Sequence, residues 1–129
     1  MHKKIRALIF GNPDECKAVW ETLKSLERCA AHHHELCHVD DIEEFEAKLV
    51  DWEPTLAIIL AEGAAGMESV FRSRQRRPCI PVFWFSDDRE FSMQSYRLEC
   101  AYFSTKPVTD EKISHAIARC EHIGISYAS

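Results

Sequence analysis

The run Leu56-Ala57-Ile58-Ile59-Leu60-Ala61 ends on Glu62, the one residue there that can carry charge or move a proton. A strand apolar on both faces lies inside a parallel sheet, and ligands of such sheets sit beyond the C-terminal ends of the strands. Glu62 therefore stands where chemistry is expected, between Ala61 and Gly63, which offer none. The plain alternative is a solvated loop acid. Asp14 and Glu15 follow the first strand-like run, and carboxylate oxygens suit a small hard cation. Pro13 fixes the backbone between them and the strand end, however, and acids in the first turn of a helix favour its dipole without any metal. His32, His33, His34 and His38, with Cys37 and Asp40 nearby, invite a metal reading. Strand alternation puts His32, His34 and His38 on one face and His33 and Cys37 on the other, so neither face gathers a compact tetrahedral set. No metal and no cofactor is expected.

The elements that must position these residues alternate. Ile5 to Phe10 is a short strand stopped by Gly11-Asn12-Pro13, and Cys16, Val19, Trp20, Leu23 and Leu26 then recur at helical spacing, with Asn12 or Asp14 as cap. Ala30 to Val39 is expected as a second strand, at a sheet edge because of its histidines. Ile42, Phe45 and Leu49 mark a helix capped by Asp40 or Asp41. After the central run Thr55 to Glu62 comes a helix with Met67, Val70 and Phe71 expected inward, and Arg72, Arg74, Arg76 and Arg77 as its solvated end. Pro81 to Ser86 is a second doubly buried strand. Asp87 or Asp88 then caps a helix carrying Phe91, Ser95, Tyr96 and Leu98. Cys100 to Thr105 is the fifth strand, closed by Lys106-Pro107, and Thr109 caps a last helix with Ile113, Ile117 and Cys120 inward. Five β-α alternations imply right-handed crossovers and an α/β doubly wound parallel sheet of order 2-1-3-4-5 in one three-layer, flavodoxin-like domain. The domain is placed at 1–123, with 124–129 as an unstructured tail or the start of a linker.

A chain of 129 residues with 46% hydrophobic content makes one domain with a proper core. No apolar run approaches the ~20 residues that span a bilayer, and no membrane contact is expected. Six cysteines without a close pair fit free thiols in a reducing compartment, hence a cytoplasmic protein. The net charge of −5 argues against direct nucleic-acid contact, which needs clustered cations.

The stretch Pro81-Val-Phe-Trp-Phe-Ser86-Asp-Asp-Arg-Glu-Phe91-Ser-Met-Gln-Ser95-Tyr96, then Ala101-Tyr-Phe-Ser-Thr-Lys106-Pro107-Val, resembles the receiver (CheY-like) domains of two-component response regulators. Within them it is most similar to those preceding LytTR-type DNA-binding domains. Ile5 to Phe10 is also similar to that family's first strand. The resemblance implies a site of five parts: two acids after the first strand to hold magnesium, an aspartate after the third as nucleophile, and a hydroxyl and a lysine to grip the phosphoryl group. Here Gly11 and Asn12 replace the acid pair, and the acceptor position falls on Leu60 or Ala61. Ser86 and Lys106 remain, with Phe103 at the place of the family's switching aromatic. Glu62, close to the acceptor position, is a candidate fixed charge directed towards Lys106.

The expected function is accordingly that of a pseudo-receiver: a non-enzymatic protein-interaction and dimerisation module, independent of phosphorylation, regulating transcription at the N-terminus of a bacterial regulator. The resemblance further implies a homodimer through a face bearing Met93, Tyr96, Arg97, Tyr102 and Glu111. The alternatives are a phosphoacceptor with a shifted site and a flavodoxin-like ligand binder. A flavodoxin-like phosphate cradle needs free amides after the first strand, where this chain has Pro13, Asp14 and Glu15.

Overall fold

The computed structural model describes residues 3–129; Met1 and His2, the first two residues of the span placed at 1–123, lie outside it. Five parallel strands form one sheet: β1 (Lys4–Phe10), β2 (His33–Val39), β3 (Leu56–Ile59), β4 (Val82–Ser86) and β5 (Tyr102–Thr105), in the order β2-β1-β3-β4-β5. The doubly wound order is the expected one. β3 and β4 are buried along their whole length, which is why they are apolar on both faces. Register places Phe10 opposite Ile59, Ile59 opposite Trp84, and Ser86 opposite Thr105, so the four strand ends that carry the candidate residues open on one crevice.

The helices are α1 (Pro13–Ser25), α2 (Glu27–Ala30), α3 (Ile42–Asp51), α4 (Gly63–Arg76), α5 (Ser92–Arg97, preceded by a 3-10 turn at Arg89–Phe91) and α6 (Asp110–Ile123). Their starts are set by side-chain caps. Asn12 accepts from the Glu15 amide, Asp41 from that of Glu44, and Thr109 from that of Lys112, while Asp88 caps the 3-10 turn. Each such cap stabilises its helix by about 1 kcal/mol.

Two cores flank the sheet. One gathers Ile5, Ile9, Leu23, Ile58, Phe85 and Ile117 under α1 and α6. The other gathers Leu8, Phe45, Leu49, Ile59, Val70 and Trp84 under α3 and α4.

Four local expectations are corrected. Residues 27–30 form the short helix α2, so β2 starts at His33 and not at Ala30. Phe71 points outward, because α4 buries Gly66, Ser69, Val70 and Ser73; these small residues let the helix lie close on the sheet, and both serine hydroxyls bond carbonyls one turn back. Arg74 and Arg76 stand in the last turn of α4 as expected, but the cluster is not left to solvent alone. Arg72 bridges Glu46 and Glu68, Arg76 pairs with Glu46, and Arg77 donates to the carbonyls of Leu49 and Pro54, tying α4 to α3.

The fourth correction is the C-terminal segment, which is packed. Lys4 and Ser129 exchange backbone hydrogen bonds of 2.6 and 2.9 Å, and Thr55 Oγ1 donates to the Tyr127 carbonyl at 2.8 Å. β1 starts three residues ahead of its pairing with β3, at Lys4 against the Ala7–Leu56 pair. The segment thus occupies a sheet edge that would otherwise leave backbone groups unpaired. Tyr127 and Ala128 are buried there, and the Tyr127 hydroxyl donates to Glu121 at 2.9 Å.

Candidate functional site

At the C-terminal ends of β1 and β3 lies a cavity of about 400 Å³, bounded by Gly11, Asn12, Glu15, Leu60, Glu62 and Lys106 among others. Leu60 is buried in the core beneath it and Ala61 is half-buried, so neither candidate acceptor position presents a nucleophile. Their backbone is held tightly, since the amides of Leu60 and Ala61 both donate to the Phe10 carbonyl, at 2.7 and 3.1 Å. Gly66 is required close by: a Cβ there would collide with the Ala61 carbonyl. At Gly11 a Cβ would stand 2.7 Å from the Leu60 Cβ, so an acid at that position demands a shift of the loop.

Lys106 reaches into this cavity from the end of β5, its place fixed by its own amide donating to the Ser86 carbonyl at 3.0 Å. The Lys106–Pro107 peptide is cis. Lys106 Nζ meets three acceptors: Glu62 Oε2 at 2.7 Å, the Leu60 carbonyl at 2.7 Å and Glu15 Oε1 at 3.0 Å. An ammonium has three donors, and all three are in use.

Glu62 occupies the N-cap position of α4, yet its side chain makes no cap bond to that helix. Instead Oε2 holds Lys106, while Oε1 accepts from the Ser86 hydroxyl at 3.3 Å and from the Asp87 amide at 3.1 Å. Ser86 Oγ in turn accepts from the Asp88 amide at 3.1 Å. The candidates Glu62, Ser86 and Lys106, separated in the sequence, thus form one hydrogen-bonded group.

The electrostatics follow. Burial alone would raise the Glu62 carboxyl, but the hydrogen bonds from Lys106 and the Asp87 amide, with the ammonium charge, bring it below the usual carboxylate range. Burial would likewise lower Lys106, and its bonds to Glu62 and Glu15 raise it instead. The negative charge of Glu62 pushes the neighbouring Asp87 up. Cys16 lies beneath this group with its thiol raised to about 12, by burial first and then by Glu15, which makes it an inert core residue.

Glu15 is the residue that sequence reading treated as a helix-dipole acid and missed as part of the group. Asn12 Nδ2 donates to Glu15 Oε1 at 2.6 Å while Asn12 Oδ1 accepts from the Glu15 amide at 2.9 Å. The signal was present as Asn-x-x-Glu, a capping-box spacing that turns the acid back over the helix start and hence towards the strand ends.

Phe103 on β5 is half-buried and lies edge-on to Trp84, with centroids 5.4 Å apart, while Trp84 stacks on Phe91 at 5.1 Å. Of the face expected to pair, Met93, Tyr96, Arg97 and Glu111 are exposed and Tyr102 is half-buried against Phe85. The histidines do not converge. His34 stands edge-on to Trp20, and His38 Nε2 lies 2.8 Å from the Gly11 carbonyl. Among the described residues no three His, Cys, Asp or Glu side chains gather as a metal-ion set, and no helix is long and apolar enough to cross a membrane.

No protein-family model matches the sequence, and no curated protein matches it. Solved structures do match. A Sinorhizobium meliloti 1021 protein assigned to pilus assembly, CpaE2, superposes with a TM-score of 0.69 at 15% identity, over 90% of this chain and 99% of that one. The signal receiver domain of a modulated diguanylate cyclase from Desulfovibrio desulfuricans G20 gives 0.69 at 19% identity, over 95% of this chain and 96% of that one. The chemotaxis response regulator CheY4 of Vibrio cholerae gives 0.70 at 17% identity, over 90% and 98%. Likeness at such identities speaks to architecture and not to activity. The chain has the five-stranded, doubly wound fold of response-regulator receiver (CheY-like) domains.

Proposed function

We propose that this domain is a receiver-like signalling module that takes no phosphoryl group, is not an enzyme, and acts by binding other proteins. The observation that carries the reading is the full engagement of Lys106 by Glu62, Glu15 and the Leu60 carbonyl, with the Ser86 hydroxyl on the same Glu62 carboxylate. In the receivers that the sequence resembles, the lysine and the hydroxyl grip a transferred phosphoryl group. Here a side chain of the domain itself fills their grasp. Leu60 and Ala61 supply no nucleophile, and Gly11 and Asn12 supply no acid pair for magnesium. A permanent carboxylate then takes the place of a transient phosphoryl charge. The arrangement of Phe103 and of the α5–β5–α6 face is set once by folding, and output is governed by the concentration of partners.

Incubation with acetyl phosphate and magnesium, followed by intact-mass measurement, tests this. No phosphoryl adduct is expected, and beryllium fluoride should leave the thermal melting of the domain unchanged. An acid-labile adduct would overturn the reading.

A further inference from the structure

His34 and His38 lie four residues apart on β2, hence on one face of the strand, and each fastens the strand to the α1 region. His38 Nε2 donates to the Gly11 carbonyl at 2.8 Å, in the loop that leads into α1. His34 stands edge-on to Trp20 of α1, with centroids 5.9 Å apart and ring planes at 82°. A proton affects the two contacts differently. The His38 bond already requires a proton on Nε2, so charging that ring keeps the bond. His34 commits Nδ1 to the Cys29 carbonyl of α2, which leaves Nε2 as the lone-pair nitrogen, sealed from solvent and without a partner. A proton there creates a charged donor with nothing to receive it.

The surroundings oppose that charge. From α1 the ring faces Lys24, whose ammonium lies 5.7 Å from the Trp20 ring centre and holds Glu21 at 3.2 Å. From β2 and the turn before it the ring faces His33 and His32, and α2 presents the Cys29 carbonyl. β1 places the fully buried Ile5 opposite. The chargeable groups that act on His34 are therefore all bases. Burial first, then these neighbours, hold the ring below its ordinary value of 6.5, against the opposite pull of the Cys29 bond.

We propose that His34 is an acid-released latch: neutral, it holds β2 and α2 against the C-terminal half of α1, and protonated, it leaves Trp20 and opens that corner while β3 and β4 stay packed. The open form gives Nε2 the water that the closed form denies it, which is the difference in interaction that a two-state element needs. An open form takes up its proton at the ordinary 6.5 and the closed form only at lower pH, so the latch is whole above 6.5 and weakens as the pH falls below it. Glu62 acts below 4.5, in a separate window. β2 is the outermost strand and pairs only with β1, so the corner opens without breaking the middle of the sheet. The latch works whether or not the domain takes up a phosphoryl group.

NMR of the whole chain between about pH 7.5 and about pH 5, on either side of the histidine range, tests the proposal. The His34 ring should titrate below 6.5. Amide protection factors in β2, α2 and the end of α1 should fall by about tenfold over that range, while those of β3 and β4 change by less than about twofold. His34→Phe keeps an aromatic ring against Trp20 and cannot be charged, so in that variant the same amides should keep their protection in acid. Should the variant fail to fold, the ring titration and the protection pattern of the wild type still decide the matter. The proposal is overturned by a His34 ring that titrates at or above 6.5, by protection in β2 that does not change with pH, by a loss spread evenly over all five strands, or by the same loss in His34→Phe.

Discussion

Lys106 Nζ lies 2.7 Å from Glu62 Oε2, and the Lys106 side chain is only 9% exposed while that of Glu62 keeps 41% of its surface in solvent. The asymmetry matters. Enclosing a lone ammonium is costly, so the carboxylates that meet it are a condition of Lys106 being where it is. Glu62 is the wetter partner, and its loss is softened by water and by Glu15, which holds the same nitrogen at 3.0 Å.

Glu62→Gln keeps the shape of the side chain and removes its charge. Because half-exposed pairs are screened, the expected loss of stability is about 1 kcal/mol. Glu62→Gln with Glu15→Gln strips both charges from an enclosed ammonium, and the expected loss is roughly 3 kcal/mol, more than the sum of the single changes. Urea unfolding of the three variants measures both figures. Additive effects would show that the two acids do not share Lys106.

The pH dependence has a definite sign at each end. Glu62 is held below its ordinary value of 4.5, so its contribution is present above that pH and disappears as the pH falls through the lowered value. Lys106 is held above its ordinary 10.5, so its contribution is complete below that pH and disappears as the pH rises beyond it. The stability gap between the wild type and Glu62→Gln should therefore be constant near neutrality and close in acid. Asp87, raised by the charge of Glu62, should titrate lower in the same variant, a change that NMR of its side-chain carboxyl would detect.

Truncation after Gly124 removes the Ser129–Lys4 backbone pair, the Thr55–Tyr127 hydrogen bond and the buried surface of Tyr127 and Ala128. The expected loss is about 3 kcal/mol, visible as a lowered melting temperature. A truncated domain as stable as the full chain would mean that the segment only rests on the sheet.

The sheet order and the helix starts were legible because each follows from local patterns of the chain. Two-sided apolar runs at Leu56–Ile59 and Val82–Phe85 mark buried parallel strands, and Asn12, Asp41 and Thr109 bond to amides three residues on, within reach of a sequence pattern. The absence of an acid at Gly11, Asn12, Leu60 and Ala61 is a matter of residue identity alone.

Other features were decided by tertiary contact. Glu15 and Lys106 are 91 residues apart, and only the juxtaposition of β1, β3 and β5 brings them onto one nitrogen. Phe71 was expected inward because apolar residues usually mark the core stripe of a helix, but a row of Gly66, Ser69 and Ser73 makes the closer fit and turns α4 by its own packing. The arginines of α4 gained their partners from α3, and residues 125–129, without periodicity of their own, gained structure from the open edge of β1. A side chain's chemistry is written in the chain, but the group it meets is chosen by elements that sequence separation keeps apart until the sheet closes.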